Sequence, residues 1–173
     1  LIGVALQKHW KSRPFVIQRL LRTGAHEPRW DPLSGVVVDT NTPIAALVHL
    51  AGAPVGRRWN SVVKRDIYSS RIQGAKTLHQ WLRARQQRPN VIVSASAIGF
   101  YGSRGNEVLD EQSNKGTGFL SDVVHQWEDE MQAIAELGIR VVILRFGIVL
   151  STAGGALAKM LPIFRSGLGG PIG

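Results

Sequence analysis

The sequence predicts an α/β fold, a doubly wound parallel sheet with helices on both faces. Three observations carry that expectation. Short apolar runs of strand length alternate with stretches long enough to be crossover helices, which parallel pairing requires. Residues 91–102, VIVSASAIGFYG, pass from an apolar run into hydroxyls and glycines, as a buried strand does when it delivers side chains to its C-terminal end. The length, 173 residues with 44% hydrophobic and 19% charged, suits one domain, 1–173, with a real core.

Taken in order, residues 1–10 read as a helix. Pro14 breaks that pattern, and residues 15–21 read as a strand. Residues 23–34 hold Gly24, Pro28, Asp31 and Pro32 and read as a loop. Residues 36–39 form a short strand, residues 40–43 a turn, and residues 45–50 a third strand. A long helix follows over about residues 60–86, with Tyr68, Ile72, Ala75, Leu78 and Leu82 on one apolar stripe.

Residues 91–96 are the fourth strand, expected inside the sheet. Another helix starts at Thr117 or Gly118, with Leu120, Val123, Val124, Trp127, Met131 and Ile134 on one face. Gly138 suits its C-cap. Residues 140–150, RVVILRFGIVL, are the fifth strand. Gly154-Gly155 leads into a short helix over 156–160, and residues 166–173 are glycine-rich.

The formal net charge is +9. Positive residues gather early, in Lys8, Lys11, Arg13, Arg19, Arg22 and Arg29, and again between Arg57 and Arg88. Such a balance suits anionic partners, such as cofactor phosphates or nucleic acid, as well as plainly solvated helix faces. There are no cysteines, which excludes disulfide and thiolate chemistry and is compatible with a cytoplasmic setting. No apolar run approaches the ~20 residues that span a bilayer, so no membrane partner is expected. Residues 1–8 lack the basic start and apolar core of a signal peptide.

In open α/β sheets, ligands bind beyond the carboxyl ends of the strands. Ser94, Ser96 and Tyr101 stand at that end of the fourth strand and could move a proton or hold a hydroxyl. An ordinary buried strand with a turn explains the same residues. The histidines at 9, 26, 49, 79 and 125 fall at no metal-ligand spacing, and no G-x-S-x-G elbow is present.

An ordered set of motifs adds a resemblance. It consists of LIG at 1–3, HLAG at 49–52, RRWN at 57–60, SRI at 70–72, SASAIGFYG at 94–102, WE at 127–128, LRFGIVL at 144–150 and GGALAKMLPIFRSGLGGPIG at 154–173. By these the chain resembles the extended or atypical short-chain dehydrogenase/reductases. Within them it is similar to the sugar-nucleotide epimerase family proteins. The resemblance implies a Rossmann-like NAD(P)-binding fold.

It also implies a first strand and a glycine-rich turn ahead of residue 1, with Gly3 as the turn's third glycine, and a substrate-binding part beyond residue 173. The chain is therefore expected to be a fragment. Taken alone, it is expected to be cofactor-free and prone to self-association through an exposed sheet edge.

Further residues follow from the resemblance. Arg22 takes the position that reads the adenosine ribose. With no acid nearby, it favours NADP over NAD, unless it is a solvated strand-end arginine. Leu50, Ala51 and Gly52 pass under the adenine and ribose. Asp66, Arg71 and Val149 lie near the cofactor. Arg71 meets either a phosphate or a structural carboxylate.

Ser96, or alternatively Ser94, fills the family's catalytic serine position. The usual Tyr-x-x-x-Lys pair is absent from the whole chain. Tyr101 is the substitute in sequence, or else a packing residue, and His125 reads as a helix-face histidine.

Three functions compete. One is an NADP-dependent epimerase or oxidoreductase acting on a nucleotide sugar or similar small molecule. Another is a non-catalytic NADP-binding sensor or scaffold. The third is a basic nucleic-acid-binding module, which no aromatic-and-basic motif supports.

Overall fold

The computed structural model describes residues 1–20, 29–32, 34–38 and 42–170. The chain divides into two compact units, Arg19–Arg145 and a terminal unit of Leu1–Gln18 with Phe146–Gly173.

The larger unit is built on a three-stranded sheet. Strand β3 (Ala46–His49) lies beside β4 (Val91–Ala97), and β5 (Arg140–Phe146) lies on the other side of β4. β3 and β4 run parallel, from Ala46 opposite Val91 to His49 opposite Ser94. The expected inner strand is thus the middle one. Alternation puts Ile92, Ser94 and Ser96 on one face of β4, and all three are buried.

Helix α2 (Ser61–Ala84) connects β3 to β4, and α3 (Phe119–Gln132) lies between β4 and β5. Asn60 caps α2, its Oδ1 accepting from the Val63 N–H at 2.9 Å. The two helices pack on each other. Their apolar faces form the core with Ile92 and Ile139, through Ile67, Ile72, Leu78 and Leu82 of α2 and Val123, Trp127 and Met131 of α3. Gly138 ends the 3₁₀ turn after α3 with φ +78°, as expected of a cap.

One member of the expected α2 stripe is displaced. Tyr68 is exposed and its hydroxyl donates to Gln126 Oε1 at 2.9 Å, while Ile67 takes the core position. A phenol lies more readily at the rim, where its oxygen finds a polar partner.

The expected loop at 23–34 contains a strand. β1 (Arg29–Asp31) pairs antiparallel with β2 (Val36–Val38), apart from the parallel sheet. Only residues 32–35 separate them. That allows a hairpin, whereas parallel neighbours need a crossover of about a dozen residues. Trp30 is buried against α2 at Gly74, and Thr77 Oγ1 donates to the Pro32 carbonyl at 3.2 Å.

In the terminal unit, α1 (Ile2–Trp10) agrees with the expected helix. The strand expected at 15–21 does not form over its described residues. Val16 is almost fully exposed, and Phe15 turns back edge-on to Trp10 at 5.8 Å. With no described partner strand, an apolar run there gains no ladder hydrogen bonds.

β5 also ends earlier than expected, at Phe146, before Gly147. Helix α4 (Gly155–Arg165) is longer than expected and carries Pro162 inside it. Gly155, at φ +75°, turns the chain where a Cβ would sit 3.0 Å from Leu1. No helix among the described residues is long and apolar enough to cross a membrane.

Candidate functional site

The C-terminal end of β4 brings together two of the residues singled out from the sequence. Ser96 is buried, and its hydroxyl donates to Glu128 Oε1 of α3. Arg145, near the end of β5, grips the same carboxylate with both edges of its fork, Nε to Oε1 at 2.9 Å and Nη2 to Oε2 at 2.8 Å.

The remaining terminal nitrogen of Arg145, Nη1, donates to the Tyr101 hydroxyl at 2.8 Å and to the Glu111 carbonyl at 3.3 Å. The guanidinium also lies 3.6 Å from the Phe100 ring centre. Its hydrogen bonds to Glu128, and next to Tyr101, hold its proton more tightly than an ordinary arginine's, against the opposing effect of burial. Ser96, Glu128, Arg145 and Tyr101 thus form one continuous polar chain inside an apolar setting.

Neither Glu128 nor Arg145 stood out as a site residue in the sequence. The available signal was a charge inside an apolar pattern. Glu128 falls between Trp127 and Met131 on the core side of α3, and Arg145 interrupts VVILRFGIVL. A buried charge needs a partner, and each is the other's.

Local backbone fixes Tyr101. Residues Ile98–Tyr101 form a 3₁₀ turn that closes on Gly102 at φ +64°. The Gly116 N–H bonds the Phe100 carbonyl at 3.0 Å, and Gly116 lies so close to the Tyr101 carbonyl that a Cβ has no room. Ser121 Oγ reaches the Phe100 carbonyl at 2.7 Å. Ser94 is fully buried, and its hydroxyl is spent on the Ala95 carbonyl at 3.0 Å. His125 lies on the helix face as expected, half exposed, with Nδ1 3.6 Å from Asp129.

Beyond β3, Leu50 and Ala51 are partly buried and Gly52 is exposed. Arg71 of α2 lies directly beneath Gly52, where a Cβ would stand 3.1 Å from the guanidinium. Nη1 of Arg71 donates to the Ala53 carbonyl at 3.1 Å and the Ile67 carbonyl at 3.2 Å. Its Nε and Nη2 have no hydrogen-bond partner among the described residues. Burial lowers the Arg71 pKa from its usual value.

His49, the last residue of β3, sits between Trp30 and Trp127, with ring centres 5.1 and 6.3 Å away. Its Nε2 is buried without a partner. Burial, reinforced by the Arg71 charge, lowers its pKa to about 4, so the ring is neutral. Asp66 stands apart on the exposed side of α2, 3.9 Å from Arg57. Gly3 and Val149 belong to the terminal unit. Arg22 lies outside the described residues.

A depression of about 490 Å³ opens beside the Tyr101 turn. It is lined by Trp59, Ile98, Phe119 and Leu120, with Ser103, Thr117 and Ser121 and three glycines, Gly99, Gly102 and Gly118. Trp59 and Phe119 meet edge to face at 5.5 Å, and the indole N–H is spent on the Val55 carbonyl at 2.9 Å. Among the described residues, no group of His, Cys, Asp or Glu is placed to hold a metal ion.

No family model matches the chain. It is, however, similar along its whole length to an epimerase family protein of Mycobacterium bovis, at 34% identity over 178 residues that make up 58% of that protein. It is 39% identical over 130 residues, 74% of this chain, to the chloroplastic epimerase family protein SDR39U1 homolog of Arabidopsis thaliana, of which they are 37%. The chain thus spans little more than half the length of the longest-matched of these relatives.

Two solved structures cover all of it. The nucleoside-diphosphate sugar epimerase from Corynebacterium glutamicum matches with a TM-score of 0.81 at 33% identity over 36% of that chain. Human epimerase family protein SDR39U1, solved with NADPH, matches with a TM-score of 0.83 at 30% identity over 59% of that chain. The fold is the Rossmann-like α/β fold of those proteins. In sequence and in fold, this chain belongs to the epimerase family proteins of the short-chain dehydrogenase/reductase superfamily.

Proposed function

We propose that this chain is the NADP-binding part of an epimerase- or oxidoreductase-like protein of the short-chain dehydrogenase/reductase superfamily, acting on a small molecule at the end of β4. The observation that carries the reading is the polar chain from Ser96 through Glu128 and Arg145 to Tyr101.

A serine hydroxyl has one proton, and that of Ser96 goes to Glu128. Its free lone pairs then accept from a substrate hydroxyl. The Tyr101 oxygen accepts from Arg145 and keeps its own proton to donate. One acceptor and one donor suit a group that alternates between alcohol and carbonyl.

The cofactor fits the residues present. The small Ala51 and Gly52 leave the backbone open beyond β3, and the spare Nε and Nη2 donors of Arg71 lie under Gly52, suited to a phosphate. NADP(H), when bound, supplies or takes up a hydride. Human SDR39U1 was solved with NADPH, and Arg22 with no neighbouring acid supports NADP over NAD in this chain.

Fluorescence titration of NADPH and NADH tests the reading on a chain restored with a glycine-rich turn ahead of residue 1, as wild type, Arg22→Ala and Arg71→Ala. NADPH is expected to bind the wild type more tightly, and each variant to lose roughly tenfold or more, the effect of one charge-assisted contact. Equal affinities in the wild type would refute the NADP assignment.

The missing Tyr-x-x-x-Lys pair favours a second reading, a non-catalytic NADP-binding sensor or scaffold. Saturable NADPH binding without NADPH oxidation by any of a panel of carbonyl compounds would select it. Binding to nucleic acid through charge alone would instead show steep salt dependence.

A further inference from the structure

We infer that residues 103–115 form a hinged cover over Tyr101, which lifts as one body to let a small-molecule substrate reach the Tyr101 hydroxyl. The inference rests on the proposed function and adds the motion that function requires. Tyr101 is 9% exposed and Ser96 5%, and neither lines the depression beside the turn. A buried phenol can donate to a substrate only when what covers it moves.

The segment is closed at its base. The Gly116 N–H donates to the Phe100 carbonyl at 3.0 Å, and Ser121 Oγ lies 2.7 and 2.9 Å from the carbonyls of Phe100 and Gly116. Gly102, at φ +64°, lies so near the other end that a Cβ would stand 3.1 Å from the Thr117 carbonyl oxygen. Both ends are thus pinned to the Tyr101 turn and to α3, and the residues between them project from there. That is the form of an Ω-loop.

Between those ends the segment is tied mainly to itself. Arg104 grips the Glu107 carboxylate through Nε at 2.8 Å and Nη2 at 2.6 Å, and its Nη1 reaches across the loop to the Asn114 carbonyl at 3.3 Å. Asp110 Oδ1 accepts from the Gln112 and Ser113 N–H groups and from the Ser113 hydroxyl. The ties to the rest of the protein are weaker. Leu109 packs, partly buried, on the Phe100, Tyr101 and Val124 cluster. Arg145 Nη1 reaches the Glu111 carbonyl at 3.3 Å, and Lys115 meets Asp122 in an exposed ion pair at 2.8 Å. A segment bound more strongly within itself than to its surroundings opens as a unit. Lifting it breaks the long bond to Glu111 and keeps the 2.8 Å bond from Arg145 to Tyr101, so the phenol is uncovered with its partner in place.

The chain has two tyrosines and no cysteine. Tyr68→Phe, a change at an exposed position, leaves Tyr101 as the one tyrosine open to nitration by tetranitromethane, with no thiol to compete. Mass spectrometry follows nitration of the folded 173-residue chain, and urea unfolding of each variant measures its global stability. Tyr101 should be nitrated at a rate that urea well below the unfolding midpoint changes by less than about twofold. In the same background Leu109→Ala removes the side chain that holds the cover down. It should raise the rate roughly fivefold or more, beyond what its global stability accounts for. Glu107→Gln loosens only the interior of the segment and should change the rate by less than about twofold.

Nitration that appears only as the chain unfolds would overturn the inference, as would a Leu109→Ala rate that rises only in step with lost global stability. A starting rate equal to that of N-acetyltyrosinamide would show Tyr101 uncovered, with the same consequence. An equal rise in Glu107→Gln and Leu109→Ala would show fraying in place of a body motion and would overturn it too. The measurement uses no cofactor, so its failure is separate from a failure of the restored chain to bind NADPH, which strikes the proposed function.

Discussion

His49 makes the stability of this chain depend on pH in a way that one substitution should remove. The ring is 3% exposed, lies between Trp30 and Trp127, and faces the Arg71 cation. Burial, then the Arg71 charge, lowers its pKa from 6.5 to about 4. The unfolded chain therefore binds a proton near pH 6.5 that the folded chain refuses until about pH 4. Between those values the unfolded state holds more protons, so stability falls as pH falls.

The full gap is about 2.5 pK units, or roughly 3.4 kcal/mol, and roughly 2 kcal/mol of it is lost between about pH 8 and about pH 5. Urea unfolding across that range measures it in the wild type and in His49→Gln. The wild type should lose roughly 2 kcal/mol more than the variant over the same span. Parallel stability curves for the two proteins would refute the burial argument.

Two further substitutions test the polar chain and the turn. Glu128→Ala leaves the largely buried Arg145 guanidinium without its carboxylate and should cost about 3 kcal/mol in urea unfolding, with Glu128→Gln costing less. Gly116→Ala drives a Cβ into the Tyr101 backbone carbonyl, which cannot swing aside as a side chain would; a loss of roughly 3 kcal/mol is expected from the same measurement.

The parallel sheet was legible because its signals are local. β4 announces itself by a run of three apolar residues followed by small ones, and α2 and α3 by stripes that recur every three or four residues. What the sequence hid depends on partners. β1 is three residues, Arg-Trp-Asp, between prolines, and only its pairing with β2 makes it a strand. Residues 16–20 have the composition of a strand but no described neighbour to bond. Ile67 and Tyr68 are adjacent on α2; Ile67 enters the core, while the Tyr68 hydroxyl meets Gln126, 58 residues away.

The candidate site divides along the same line. Ser96 and Tyr101 were legible because β4 and its turn place them within a few residues of each other at a strand end. Glu128 and Arg145 lie 32 and 49 residues beyond Ser96, and their roles exist only in the folded chain. Yet they set the hydrogen bonding of the two residues that were visible. The Glu128 carboxylate accepts the hydrogen bond of the Ser96 hydroxyl, which leaves the Ser96 oxygen its lone pairs. The Arg145 guanidinium donates to the Tyr101 oxygen, so Tyr101 offers its proton. In a Tyr-x-x-x-Lys motif the lysine would stand one helical turn from the tyrosine. Here the cation beside Tyr101 comes from another strand, held in place by a glutamate from the helix between, so no local motif could have revealed it.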